Sequence, residues 1–166
     1  MTKKFKKSDI ELVEYEAKYK DDLKSLSYEW LNKYNLFEDE DELILNNPDE
    51  YILKKGGYIF FARYQSDIIA TFSLIPGSNN IFELAKLAVT EEYQGKGIAK
   101  ILIEKAISIA KREEAEKIIL YSNSKLKKAY KLYKKYGFYD INVNESKYET
   151  ADVKMELDLQ KNKLSF

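Results

Sequence analysis

Cysteine and histidine are both absent from the 166 residues, and these two gaps remove more chemistry than any other feature of the chain. Without cysteine there is no disulfide framework, no thiolate nucleophile and no cysteine-ligated zinc. Without histidine there is no Ser-His pair, and a zinc site loses its usual nitrogen ligand. Acid–base work therefore falls to Asp, Glu, Lys, Tyr or water. Proline occurs twice and glycine six times, so each marks a place where the chain has to turn or stop. Neither sign of charge prevails, with 28 Lys+Arg against 28 Asp+Glu, and that balance argues neither for nor against nucleic acid. No apolar run is long enough to span a bilayer. The basic start Met1-Thr2-Lys3-Lys4-Phe5-Lys6-Lys7 leads into Ser8-Asp9, not into the apolar segment of a signal peptide. These absences point to a cytoplasmic protein with no bound metal. The length fits one domain over 1–166, with residues 1–8 and 160–166 frayed.

What is present is a globular composition, 45% hydrophobic and 34% charged, carried on clear periodicities. Ile10 to Tyr15 reads as a strand. From Lys18, the residues Tyr19, Leu23, Leu26, Trp30, Leu31 and Tyr34 recur at helical spacing to about Asn35. Five consecutive acids, Glu38 to Glu42, precede Leu43-Ile44-Leu45. They read either as the solvated first turn of a short second helix, which the macrodipole favours, or as an acidic lip that steers a cationic amine. Tyr58 to Tyr64, Ile68 to Ile75 and Ile81 to Val89 form a three-stranded antiparallel meander. Ile98 to about Glu114 is an amphipathic helix leading to a strand over Lys117 to Asn123, a βαβ unit whose ligand belongs at the carboxyl ends of its strands. A second helix from Lys125 to Tyr136 carries six Lys and no acid and stops at Gly137. Phe138 to Ile141 begins a strand. Val153 to Leu159 alternates as a final half-exposed strand, whose open edge could pair with a second copy.

The loop between the third meander strand and the long helix, Thr90-Glu91-Glu92-Tyr93-Gln94-Gly95-Lys96-Gly97, has the chemistry of a phosphate cradle. The first amides of a helix lack intrahelical partners and sit at the positive end of its dipole. Gly95 and Gly97 let the backbone approach an anion closely, and Lys96 and Lys100 can add point charges. A Walker loop needs Ser or Thr where Gly97 stands, and the dinucleotide fingerprint needs Gly where Lys100 stands. The pattern that fits is Gln/Arg-x-x-Gly-x-Gly/Ala, matched by Gln94, Gly97 and Ala99.

At these residues the chain resembles the GNAT superfamily of N-acetyltransferases. A second stretch, Ala129-x-x-Leu132-Tyr133-x-Lys135-x-Gly137-Phe138, matches another motif of that family at the expected distance. The order β-α-α-β-β-β-α-β-α-β-β, an α/β chain with a mixed sheet, is also the family's order. The resemblance thus extends over nearly the whole chain. One departure is Leu126, where many members carry Asn; Asn123 is the candidate to supply that amide.

The resemblance implies acetyl-CoA as co-substrate and transfer of its acetyl group, by direct attack, to a primary amine of a small molecule or peptide. Gln94, Gly95, Lys96, Gly97, Ile98 and Ala99 would hold the pyrophosphate. Backbone groups of Leu87, Ala88 and Val89 would bind the pantetheine arm as an added strand and polarise the thioester carbonyl. Tyr133 is the motif's general acid, a role its ordinary pKa near 10 suits, or else a core tyrosine. Tyr130, one turn earlier, competes for the role and for contact with the cofactor. Glu83 is the candidate base, or a surface carboxylate paired with Lys, with a water relay as the other route. In a regular strand Glu83 shares a face with Leu87. A bulge of the kind family members often place here would redirect that face and re-aim Lys86. The lysine-rich helix reads as a solvated face with one or two Lys near the 3′-phosphate of CoA, and the neutral overall charge counts against nucleic acid there. Specificity for the acceptor would come from the first two helices and the region Tyr28 to Leu45. Two other readings share this sequence, a non-catalytic acyl-CoA-binding domain and a lysine-rich RNA-associated module.

Overall fold

The computed structural model describes residues 4–144 and 146–160. Its elements are β1 (Ile10–Glu14), α1 (Lys20–Lys33), α2 (Asp39–Asn46), β2 (Tyr58–Tyr64), β3 (Asp67–Pro76), β4 (Ile81–Val89), α3 (Ile98–Arg112), β5 (Lys117–Ser122), α4 (Lys127–Lys135), β6 (Tyr139–Ile141) and β7 (Val153–Asp158). This is the order expected from the sequence. Short 3₁₀ turns precede β1, α1 and α3, and a π-helical turn over Asp49–Leu53 links α2 to β2.

The strands form one seven-stranded sheet in the order β1-β2-β3-β4-β5-β7-β6. Every pairing is antiparallel except β4 with β5, which the crossover helix α3 makes parallel. The expectation that the final strand offers an open edge does not hold. β7 lies between β5 and β6, so its clean alternation is satisfied inside the sheet, and the three-residue β6 is the edge on that side.

Both faces of the sheet are covered. Phe60, Phe72, Leu74, Leu102, Ile103, Ala106, Ile118, Met155 and Phe138 pack on the α3 and α4 side. Leu23, Leu26, Ile44, Leu45, Ile52, Ile59 and Phe61 pack under α1 and α2. β2 shows why its run is nearly all apolar: Phe60 points into one core while Ile59 and Phe61 point into the other. Each such side chain, fully buried, contributes about 1.5–3 kcal/mol. The frayed start expected over 1–8 does not reach Phe5, whose ring packs 5.0 Å from that of Tyr64 and 6.0 Å from that of Tyr93. Residues 1–3 and 161–166 lie outside the described residues. Among the described residues no helix is long and apolar enough to cross a membrane.

Candidate active site

The site begins where the parallel pair parts. β4 and β5 pair from Ile81↔Lys117 only as far as Glu83↔Ile119, after which β4 continues to Val89 and β5 to Ser122. Backbone groups of β4 that face β5 beyond Glu83 thus have no strand partner on that side, and a cleft of about 760 Å³ opens there. β4 is also bulged. Ser73 pairs with Ala85 but Thr71 pairs with Ala88, so β4 holds one residue more than β3 over this stretch. Lys86 takes up the irregularity at φ 55°.

The extra residue is the bulge allowed for above, and it redirects the facing of Glu83 and Leu87 that a regular strand would give. Side chains alternate with period two, so one inserted residue exchanges faces downstream. Ala85 and Ala88 both pack under α1 and α2, whereas Leu87 packs on the α3 side with Leu84. Glu83 therefore does not share a face with Leu87. Lys86 is re-aimed into the cleft and is buried.

One end of the cleft is built mainly from backbone. The Gln94 side-chain amide donates to the Val89 carbonyl at 2.9 Å and braces the loop. Gly97, the N-cap of α3, sits at φ 81°, and no side-chain cap occupies the first amides of the helix. A residue with a Cβ would cost about 1–2 kcal/mol in that left-handed conformation. Gln94, Gly95, Gly97, Ile98 and Ala99 line the cleft together with Leu87, Ala88 and Val89. Lys96 is not among the lining residues; its ammonium lies 5.3 Å over the ring of Phe5. Lysines arrive from elsewhere: Lys33, Lys100, Lys125, Lys127, Lys128, Lys131 and Lys135 all border the cleft. On α4 the cleft side carries Lys127, Lys128, Lys131 and Lys135. Sequence reasoning also missed Lys7, whose ammonium would lie 3.3 Å from a Cβ on Gly97.

α4 delivers Tyr133 by way of its own stop signal. The Gly137 amide donates to the Lys134 carbonyl and the Phe138 amide to the Tyr133 carbonyl, both at 3.1 Å, with Gly137 at φ 94°. This is a Schellman motif, and its customary hydrophobic contact is Phe138 on Tyr133, ring centroids 5.7 Å apart. The motif that identifies the tyrosine therefore also holds its ring. Tyr133 is buried yet borders the cleft. Burial alone pushes its hydroxyl well above the ordinary tyrosine range, so it stays protonated at neutral pH. Tyr130 points elsewhere. Its hydroxyl donates to Asp140 at 2.6 Å, and it is not among the cleft residues. Asn123 does border the cleft, but its amide is engaged by the chain. It donates to the Thr150 carbonyl at 2.7 Å and accepts from the Lys125 amide at 2.9 Å.

The other end is built from side chains of three distant segments. The Glu38 amide donates to Asp41 at 3.0 Å, so Asp41 helps to cap α2. The acidic run thus serves as a helix start, though Asp41 is buried rather than solvated, and Glu38 and Asp41 also face the cleft. Asp41 pairs with Lys86, both side chains only 4% exposed. The Lys86 ammonium lies 5.2 Å over the ring of Tyr148. The Tyr148 hydroxyl donates to Glu83 at 3.3 Å, and Lys147 pairs with the other Glu83 oxygen at 2.9 Å. Burial, then the charges of Glu83 and Asp41, push the Tyr148 hydroxyl far up. Glu38 ties this segment down, accepting from the Glu149 amide at 2.6 Å, the Thr150 amide at 2.9 Å and the Thr150 hydroxyl. Burial opposes the Glu38 charge, but these bonds and Lys86 outweigh it and hold the carboxyl below its ordinary range. Tyr148 and Thr150 were not found from sequence, and the polar stretch that supplies them carried no signal of a site.

Set against known proteins, residues 23–138 match the model of the acetyltransferase (GNAT) family. The N-acetylaspartate synthetase of Xenopus tropicalis is 28% identical over 103 residues, covering 61% of this chain and 38% of that protein. The chain spans about half the length of the curated relatives it matches, 38% of one and 57% of others. A GNAT-family acetyltransferase of Staphylococcus aureus superposes with a TM-score of 0.84 at 26% identity, covering 90% of this chain and 99% of that one. A GNAT-family acetyltransferase of Elizabethkingia anophelis, solved with acetyl-CoA bound, superposes with a TM-score of 0.62 at 22% identity, covering 92% and 99%.

Proposed function

The chain belongs to the acetyltransferase (GNAT) family, and from that premise we propose that it moves the acetyl group of acetyl-CoA, by direct attack, to a primary amine of a small molecule or peptide in the cytoplasm. The observation that carries the proposal is the splay of β4 from β5 beyond Glu83. It leaves strand-like backbone along one wall, a capless helix N-terminus and a lysine row at one end, and a protonated tyrosine beside it. A phosphate-bearing arm that can pair like a strand fits this shape.

In this reading the amides at Gly95 to Ala99 hold the pyrophosphate, with Lys100 and the lysines of α4 bordering it, and the backbone of Leu87 to Val89 holds the arm. Acetyl-CoA supplies an activated acyl carbon and a thiolate leaving group. Glu83 takes a proton from the acceptor ammonium, directly or through water, so that its nitrogen can attack. Tyr133 gives its hydroxyl proton to the departing sulfur, and burial keeps that proton on the oxygen until then. A Glu83→Gln variant should lose the acidic limb of the pH–rate profile; a profile identical to the parent's leaves the base role to water.

The deciding experiment couples calorimetric titration of acetyl-CoA with thiol release over polyamines, amino acids, aminoglycosides and Lys peptides. Saturable binding with release for any amine upholds the enzyme. Binding without turnover across the panel favours a non-catalytic acyl-CoA-binding domain, and absence of binding removes the reading.

A further inference from the structure

We infer that the acceptor carries a carboxylate beside its amine, as a free amino acid or a short peptide with its terminal carboxylate does, and that Lys86 receives that carboxylate. The inference rests on the acetyltransferase reading and deepens it.

Lys86 is the anomaly of the acceptor end. It is a non-glycine residue at φ 55° in the middle of a strand, with its side chain 4% exposed and bordering the cleft. An ammonium has three N–H donors and no acceptor capacity. Among the described residues one carboxylate, that of Asp41, accepts from it, and the Tyr148 ring lies beneath. Donors of a desolvated cation that face a cleft are best satisfied by an anion, and charge-assisted bonds of this kind are about twice as strong as neutral ones.

The carboxylates of the same chamber are in the opposite condition. Glu38 accepts two backbone amides and a hydroxyl. Asp41 accepts from Lys86 and from the Glu38 amide. Glu83 faces Tyr148 on one oxygen and Lys147 on the other. A polyamine, which needs an acid for each of its cations, meets acids that are already engaged. The partner most easily exchanged is Lys147, which is 35% exposed and sits on the candidate base. An incoming ammonium can take its place at Glu83, while a carboxylate on the same molecule meets the Lys86 donors that Asp41 leaves. Tyr148 spaces the two sites, its hydroxyl on Glu83 and its ring under Lys86.

The test uses the unaltered protein, acetyl-CoA and matched acceptors: amino acids and dipeptides against their C-terminal amides, with spermidine alongside. The acids should be preferred in kcat/KM by roughly tenfold or more, a ratio equivalent to about 1.4 kcal/mol. This preference would run against the greater free-base fraction of the amides. Lys86→Gln should bring the ratio toward one by raising KM for the acids. Should that variant fail to fold, the ratio in the parent protein still decides. Equal or better use of amides or spermidine overturns the inference and leaves the enzyme standing. So does failure of every carboxylate-bearing amine to turn over in a protein that binds acetyl-CoA. Absence of acetyl-CoA binding overturns the reading beneath both.

Discussion

The two ends of the cleft are made in different ways. The backbone of the proposed cofactor end comes from residues 87–99, where its working parts are amides, carbonyls and two positive-φ glycines, with lysines of α4 bordering it. The proposed acceptor end assembles side chains from residues 38–41, 83–86 and 147–150, held by ion pairs and hydrogen bonds across the sheet. A backbone site is set by local conformation and tolerates change in most side chains around it. A side-chain site depends on tertiary placement and can change its ligand by changing any one of its contributors. One fold can thus keep a single cofactor while varying its acceptor.

The largest expected effect lies at the junction of the two ends. Tyr133→Phe should lower kcat by about a hundredfold or more while leaving acetyl-CoA affinity in place, since proton donation contributes on that scale. Single-turnover kinetics beside calorimetry reads both quantities, and undiminished turnover would take Tyr133 out of the mechanism. Next comes the acceptor end as structure. Asp41→Ala leaves the Lys86 ammonium buried without its carboxylate and should lower stability by about 3 kcal/mol in urea, with much of the loss recovered in Asp41→Ala/Lys86→Met. Full stability of the single variant would show that the pair is not buried in solution.

At the cofactor end, Gly97→Val should strain the helix entry by about 1–2 kcal/mol and weaken acetyl-CoA binding roughly tenfold. Its effect on KM for the acceptor should be smaller, and equal effects on both would mean that the two ends are not separable. The smallest effect concerns the 147–150 segment. The folded-state pKa of Glu38 is depressed, so its contribution is present above the ordinary carboxylate range and lost as pH falls through the lower, folded value. Glu38→Gln should therefore flatten the acid side of the stability profile, with a loss at neutral pH under about 1 kcal/mol. An unaltered profile would mean that other carboxylates carry the acid transition.

Legibility followed the same division. Gly95 and Gly97 were readable because a helix entry at positive φ favours glycine, whereas Gln94 and Ala99 came from the pattern of the resemblance. Tyr133 was singled out through the resemblance, since helical spacing alone would read it as a core tyrosine; the Gly137-Phe138 helix stop then fixes where its ring sits. Tyr130 shows the limit: it lies one turn from Tyr133 on the same helix, and only the position of β6 reveals that its hydroxyl is taken by Asp140. Lys86 shows it again, since the residues Leu84-Ala85-Lys86-Leu87 do not themselves spell a bulge, and only the resemblance allowed for one. The register against β3 shows it. The place of β7 inside the sheet is likewise a matter of pairing, because alternation reports which side chains are buried and not which strand lies alongside.

By itself the sequence determined the order of elements, the glycine-bearing entry to α3 and the helix stop after Tyr133, since each depends on residues within one or two turns of each other. Tertiary structure alone decided that β4 and β5 part after Glu83, that Lys86 turns inward to Asp41, and that Tyr148 and Thr150 close the acceptor end. Those outcomes depend on strand register and on charges far apart in the chain. Burial makes such charges meet because an unpaired one is too costly to leave inside.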